Sequence, residues 1–164
     1  MKKSLLLILL IIIGVFLSCD MGDATAYKDL VFGMSLEEVQ TKGYCTGEKS
    51  ITEDGLDSYR CVYTDFAGVT YEKCELIFQN NKLVKVHFYN STFDPVYQKK
   101  ISKKITDYLT SKFGPAKTVN KCDGWKDDKR TFILYIHIDD ATYSTFLYVN
   151  ELAIFGNDFY KPRK

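Results

Sequence analysis

The side chains best suited to chemistry flank a short acidic turn near the C-terminus. His137 is followed by Asp139-Asp140 and then by Ser144, which are the residue types of a nucleophilic hydrolase. A serine becomes a nucleophile when a base and an orienting group lie within hydrogen-bond reach, often on a strained turn that exposes the hydroxyl. The residues around Ser144 form no such motif, and these residue types often meet across a hairpin. We therefore expect no catalysis from Ser144, His137 and Asp140.

The sequence also lacks the usual patterns of metal and cofactor sites. The other histidine, His87, has no ligand-like spacing to a cysteine, and the sequence contains no Cys-X-X-Cys. The acidic pairs Asp127-Asp128 and Asp139-Asp140 do not follow the spaced loop of a calcium site, whereas Asp commonly forms turns. A glycine-rich phosphate loop is absent as well. We predict no metal, no cofactor and no enzymatic activity.

The sequence contains five cysteines, which could form disulfides in an exported protein. They are Cys19, Cys45, Cys61, Cys74 and Cys122. Cys19 directly follows the predicted N-terminal leader, which leaves four cysteines for pairing. An exported chain enters an oxidising compartment, in which disulfides persist. Four cysteines allow three pairings, of which we favour Cys45–Cys61 with Cys74–Cys122. The alternative is that some of them are free, buried thiols.

The N-terminal residues predict a leader peptide. Lys2 and Lys3 precede an apolar run at residues 5–17, and Ser18 stands before Cys19. Thirteen helical residues rise only about 20 Å, against roughly 30 Å for the bilayer core. A positive start, a short apolar core and a small residue at the end are typical of an export signal. We therefore predict a signal peptide at residues 1–18.

The end of this leader resembles a bacterial lipobox. The resemblance is carried by Phe16-Leu17-Ser18-Cys19, with Phe16 where that family usually has Leu. It implies that Cys19 is acylated, becomes the first residue of the mature chain and anchors it to a membrane of the cell envelope, on the periplasmic or surface side. Residues 19–27 would form a tether, 28–155 a single domain, and 156–164 a basic C-terminal tail.

Charge limits the classes of partner. Removing Lys2 and Lys3 leaves 20 of the 22 basic residues, against 21 acidic ones. Nucleic-acid binding depends on an excess of clustered positive charge, so we expect no nucleic-acid partner.

The sequence predicts two helices. Ser35 and Glu38 form a capping box, so a short helix should begin at Leu36 and end before Gly43. Asp94-Pro95 is a strong start signal for a second helix at residues 95–113, and Gly114-Pro115 ends it.

Apolar and polar residues alternate in the remaining segments, which predicts strands. We expect strands at 59–64, 69–79, 82–89, 118–126, 131–138 and 143–150, with a polar loop at 46–57. The predicted class is α+β: an antiparallel sheet with two helices packed on it, which could form two helix-plus-three-strand units.

Aromatic residues on the strands are the strongest functional signal. Tyr is favoured at interfaces, so tyrosines on a solvated sheet face can form a binding surface, together with the 46–57 loop. The alternative is that they pack beneath the helices. The candidate surface residues are Tyr63, Tyr71, Tyr89, Tyr135 and His137.

Residues 32–39, Phe32-Gly33-Met34-Ser35-Leu36-Glu37-Glu38-Val39, resemble the helix entry of the SmpA/OmlA outer-membrane-assembly lipoproteins and the β-lactamase-inhibitor-protein-like fold. This resemblance implies a protein-binding module without catalysis. We therefore expect a lipid-anchored envelope protein that binds another envelope protein. The alternative is a carrier or sensor that holds a small apolar ligand between helix 95–113 and the sheet.

Overall fold

The computed structural model describes residues 25–152, of which 53% are in strands and 20% in helices. The fold is therefore β-rich, and the predicted α+β class is wrong. The predicted signal peptide, Cys19 and the C-terminal tail lie outside the described residues. Within residues 25–152, neither helix combines the length and apolar character needed to cross a membrane.

Eight antiparallel strands form the main sheet, in the order β3-β4-β7-β8-β12-β11-β10-β9. Their bounds are β3 Cys45–Ile51, β4 Asp57–Cys61, β7 Lys73–Gln79, β8 Lys82–Thr92, β9 Lys117–Val119, β10 Cys122–Lys126, β11 Arg130–Asp139 and β12 Thr142–Glu151. Two small antiparallel pairs accompany it: β1 Thr25–Tyr27 with β2 Leu30–Val31, and β5 Asp65–Phe66 with β6 Val69–Thr70.

Read inward from either edge, the strands of the main sheet follow one another in chain order. Strands β3, β4, β7 and β8 follow the first helix, strands β9 to β12 follow the second, and the last strand of each set pairs with the other at the centre. Each set therefore contains four strands of the main sheet, and the predicted helix-plus-three-strand units are wrong. In the first set, the strand that was not predicted is β3. It lies at a sheet edge, where most of its residues are exposed and polar.

The helices begin and end where the sequence signals predict. Helix α1 spans Leu36–Thr41, with the Ser35–Glu38 capping box formed in full. Helix α2 spans Pro95–Phe113, capped by Asp94 and ended by Gly114. Helix α1 has only six residues and contacts β3, so it cannot cover a sheet as the α+β prediction required.

One face of the main sheet forms the core with α2. The helix contacts β8, β10 and β12 through its buried residues Ile101, Ile105 and Leu109. Trp125 on β10 donates its indole N–H to Thr110 Oγ1 at 3.2 Å, which fixes the end of the helix against the sheet. The two small strand pairs also pack on this face, since β1 contacts β8 and β12 and β6 contacts α2.

Candidate binding surface on the open face of the sheet

Alternation along the strands divides the main sheet into two chemically different faces. In β8, Val86 and Phe88 are fully buried toward α2, whereas Lys85, His87 and Tyr89 point to the opposite side and are half-buried. We call that opposite side the open face. Its central side chains are Ser58, Ile77, Glu75, Lys85, His87, Tyr89, Tyr135, Phe146 and Tyr148.

Five aromatic rings of the open face form a ring cluster at the centre of the sheet: His87, Tyr89, Tyr135, Phe146 and Tyr148. Strand register brings them together, because His87 lies opposite Tyr148, and Phe146 lies between Tyr89 and Tyr135. His87 stacks on Tyr148 with ring centroids 4.6 Å apart and planes 10° apart. Phe146 lies 5.2 Å from Tyr89 and 5.9 Å from Tyr135.

The geometry of the ring cluster decides which part of each ring meets a partner. His87, Phe146 and Tyr148 are nearly parallel, within 10°. Side chains stand roughly perpendicular to a sheet, so the faces of these three rings are turned toward one another and their edges toward solvent. The edge of an aromatic ring carries partial positive charge, which favours carbonyl and carboxylate oxygens or the face of another ring.

A charged network borders the ring cluster around Glu75. The carboxylate lies 2.8 Å from Lys73 Nζ and 3.2 Å from His87 Nδ1, and it accepts a hydrogen bond from Ser58 Oγ at 3.3 Å. The hydrogen bond with His87, together with Lys73, lowers the pKa of Glu75 to about 2, although burial acts in the opposite direction. Glu75 is therefore ionised at any ordinary pH, and its charge is already balanced within the network.

Lys85 brings a cation to the same region. Its Nζ lies 5.7 Å from the centre of the Tyr148 ring, within cation–π range. Burial lowers the pKa of Lys85, with Asp54 acting against that shift. Arg60 and Lys73 on the neighbouring strands add positive charge to this region, and Glu53, Asp54 and Glu75 add negative charge.

The β3–β4 hairpin forms a wall along this region and encloses a groove of about 550 Å³. The wall comes from residues 50–54, and the floor from Ile77, Lys85, Tyr148 and the neighbouring rings. The predicted 46–57 loop is thus a strand up to Ile51, and the tip of its hairpin lines the groove. Apolar and charged side chains lie next to each other there, as in a site that binds an amphipathic ligand.

Three of the five predicted surface residues lie on the open face. Tyr89 and Tyr135 belong to the ring cluster, and His137 lies at its border, with Nδ1 3.2 Å from the Tyr135 hydroxyl. Tyr63 is exposed but lies elsewhere, with Lys28 Nζ 4.5 Å from its ring centre.

Tyr71 is 3% exposed, and its ring centre lies 5.0 Å from that of Phe88 in the core. The prediction that Tyr71 is a surface residue is therefore wrong. The short β5–β6 hairpin, which ends just before Tyr71, folds over the covered face of the sheet and takes this tyrosine into the core.

Within residues 25–152, Cys45, Cys61, Cys74 and Cys122 are thiols rather than disulfides. Cys45 and Cys61 lie opposite each other on β3 and β4, as the favoured pairing requires. Cys74 on β7 and Cys122 on β10 are four strand positions apart, or about 19 Å at the usual strand spacing. A disulfide spans at most about 7 Å between Cα atoms, so this strand order is incompatible with the Cys74–Cys122 pair.

The residue types first considered for catalysis do meet across a hairpin. His137 and Ser144 are register partners on β11 and β12, and Asp140 lies in the turn between them. The hydrogen bond that is formed joins His137 to Tyr135, and no described contact joins it to Ser144 or Asp140. Within residues 25–152, no three His, Cys, Asp or Glu side chains converge as metal ligands would.

Five members of the open face were not predicted as surface residues: His87, Glu75, Lys85, Phe146 and Tyr148. A signal for Phe146 and Tyr148 was present, because they alternate with the apolar Leu147 and Val149 along β12. Their position next to β8 depends on a pairing between strands more than fifty residues apart, which local patterns do not reveal.

A family model described as "Uncharacterised protein" matches residues 27–149, which include almost the whole described domain. No curated protein and no solved structure matches the chain.

Proposed function

The chain belongs to the family described as uncharacterised protein, and we propose that it is a lipid-anchored binding module of the cell envelope. In this proposal Cys19 carries the lipid, and the open face binds an extended segment of another envelope protein without catalysing a reaction. The single observation that supports the binding role most directly is the ring cluster, whose five rings lie together on the face of the sheet that α2 does not cover.

The chemistry of the open face suggests the chemistry of its partner. Ring edges favour carbonyl and carboxylate oxygens and aromatic faces, and Arg60 adds a cation on the neighbouring strand β4, while Glu75 is already balanced by Lys73 and His87. A segment that combines Asp or Glu with aromatic side chains is complementary to this arrangement. Tyr and neighbouring basic residues are also the types that dominate binding energy at interfaces.

A display library of random ten-residue peptides tests this proposal directly. Selection on the wild-type protein should enrich peptides rich in Phe, Tyr, Asp and Glu. Replacing Tyr135 or Phe146 by Ala should weaken a selected peptide by about 30-fold or more, because a central aromatic contributes about 2 kcal/mol or more. Tyr97→Ala is the matched control, since Tyr97 is a 43% exposed tyrosine on α2, away from the open face.

The results of this selection show whether the open face is the binding surface. Loss of peptide binding in Tyr135→Ala and Phe146→Ala, with Tyr97→Ala unchanged, supports the open face as the binding surface. Enrichment of basic peptides, or equal binding by all four proteins, contradicts it. The lipid anchor is tested separately by mass spectrometry of the mature N-terminus, where a chain that begins at acylated Cys19 is expected and an intact Met1 would contradict the anchor.

A carrier of a small apolar ligand is the second candidate, favoured by a cavity of about 350 Å³ at the C-terminal end of α2. Phe113 and Trp125 line it, with Pro115, Lys117, Gly124, Lys126 and Thr131. The centre of the helix–sheet interface is occupied by Ile101, Ile105 and Leu109, at most 5% exposed. A bound ligand would therefore lie at the helix end, beside Trp125. Adding a lipid extract should then change the fluorescence of Trp125, and unchanged fluorescence would argue against a carrier function.

A further inference from the structure

Three cysteines lie side by side across neighbouring strands. Cys45 on β3 is the register partner of Cys61 on β4. On the other side of β4, Arg60 pairs with Glu75 of β7, so the next residue, Cys61, lies opposite Cys74. All three side chains contribute to the covered face, where they join the core. We call this row the cysteine ladder.

Hydrogen bonding fixes the spacing within the ladder. The N–H of Val62 donates to the carbonyl of Tyr44 at 3.0 Å, which makes Cys45–Cys61 a non-hydrogen-bonded pair with Cα atoms about 4.5 Å apart. Peptide groups alternate in direction along an antiparallel strand, so Cys61–Cys74 is the hydrogen-bonded type, about 5.5 Å apart. Both spacings fall in the range of about 4.4–6.8 Å that disulfides adopt.

Cys61 therefore has two possible partners, whereas the outer cysteines have one. Cys45 and Cys74 are two strands apart, about 10 Å, which is too far for a direct bond. The Cys61 and Cys74 thiols are joined by a hydrogen bond that lowers the pKa of Cys61, and burial raises the pKa of Cys74. Cys61 is thus the better nucleophile of this pair, because the thiolate is the reactive form.

We propose that the cysteine ladder is an oxidation site in which Cys61 forms a disulfide with Cys45 or with Cys74, never with both at once. The oxidant is an external disulfide. The thiolate of half-buried Cys45 attacks one of its sulfurs and releases the first thiol, and the Cys61 thiolate then attacks Cys45 and releases the second. Two protein thiols thereby lose two protons and two electrons, and the external disulfide is reduced to two thiols.

Exchange then moves the bond along the ladder. The Cys74 sulfur, which is rarely deprotonated because burial raises its pKa, attacks Cys61. The Cys45–Cys61 bond breaks, and Cys45 is released and takes up the proton without net oxidation. The crosslink thereby passes from the edge strand β3 to the inner strand β7. Strand β3 and the hairpin wall of the groove are held covalently in the first state only. This inference does not depend on the proposed binding function.

Peptide mapping tests the ladder on the full-length protein. The purified, reduced chain is incubated with oxidised glutathione, blocked with an alkylating agent at acidic pH, and digested with trypsin without reduction. Trypsin places the three cysteines on separate peptides, 43–49, 61–73 and 74–82, so each crosslink has its own mass. The wild type should yield both the Cys45–Cys61 and the Cys61–Cys74 crosslinked peptides.

Single variants distinguish a shared sulfur from two independent sites. Cys45→Ala should leave only the Cys61–Cys74 crosslink, Cys74→Ala only Cys45–Cys61, and Cys61→Ala neither. Cys122→Ala is the control, and it should leave both crosslinks because β10 lies far from the ladder. A Cys45–Cys74 crosslink, a crosslink to Cys122, or no crosslink in the wild type or in either outer variant would overturn the proposal. Circular dichroism checks that each variant is folded, and the wild-type result decides the matter if Cys61→Ala is not.

Discussion

Replacing Glu75 with Gln should make the stability of the protein less dependent on pH. The substitution keeps the shape of the side chain but removes the charge that Lys73 and His87 stabilise. The pKa of Glu75 falls from 4.5 to about 2 on folding. At about 1.4 kcal/mol per pKa unit, this shift corresponds to at most about 3.5 kcal/mol.

The expected loss in Glu75→Gln is smaller than that upper value. The Glu75 side chain is 16% exposed and that of Lys73 is 48% exposed, so solvent screens part of their attraction. We therefore expect the free energy of unfolding to fall by about 1–2 kcal/mol at pH 7.

The direction of the pH effect follows from the lowered pKa. A carboxylate whose pKa is lowered by folding contributes its full stability above its unfolded pKa of 4.5. That contribution is lost as the pH falls toward the folded value of about 2, because the unfolded chain takes up the proton first. The difference between wild type and Glu75→Gln should therefore be constant from pH 7 to about 5 and shrink to a few tenths of a kcal/mol near pH 2.5.

Urea unfolding followed by circular dichroism at pH 7, 5, 3.5 and 2.5 measures this difference. Glu48→Gln is the matched control, since Glu48 is an exposed glutamate on the edge strand β3 and its replacement should change little at any pH. A difference between wild type and Glu75→Gln that stays the same from pH 7 to pH 2.5 would refute the reasoning.

Three further substitutions test the fold itself. Ser35→Ala removes the hydroxyl that accepts the Glu38 N–H and should lower the free energy of unfolding by about 1 kcal/mol, while Ser35→Thr keeps most of it. Phe88→Ala removes a fully buried ring and should cost about 3–5 kcal/mol, with Phe88→Leu costing less. Gly114→Ala forces a side chain onto a backbone at φ +81° and should cost about 1 kcal/mol or more, whereas Gly47→Ala, without positive φ, should not.

The midpoint of urea-induced unfolding measures these effects in every variant. Equal stability of Ser35→Ala and Ser35→Thr would contradict the role of the cap. A loss below about 1 kcal/mol in Phe88→Ala would contradict the packing of Phe88 in the core, and equal effects of the two glycine substitutions would contradict the strain at residue 114.

Both helices could be predicted from the sequence because their signals are local. Ser35 and Glu38 satisfy each other's backbone groups, and the signals at Asp94 and Gly114 act within a few residues of the helix ends. The alternation in β8 likewise identified which residues share a face.

The class and the full surface could not be predicted, because they depend on non-local pairing. Strand β3 is polar and exposed, so its residues lack the alternation that marks a half-buried strand, yet its backbone pairs with β4. Tyr71 is buried by a two-stranded hairpin whose elements have only two residues each. The ring cluster requires β8 to pair with β12, and no local pattern specifies that partner.

The central pairing of β8 with β12 has a consequence for when the protein can act. His87 and Tyr89 come from the first half of the chain, and Phe146 and Tyr148 from the second. Contacts between such distant segments have a high entropic cost of loop closure and tend to form late in folding. A half-synthesised or partly unfolded chain therefore has no complete ring cluster. A partner that recognises the ring cluster binds only the fully folded protein.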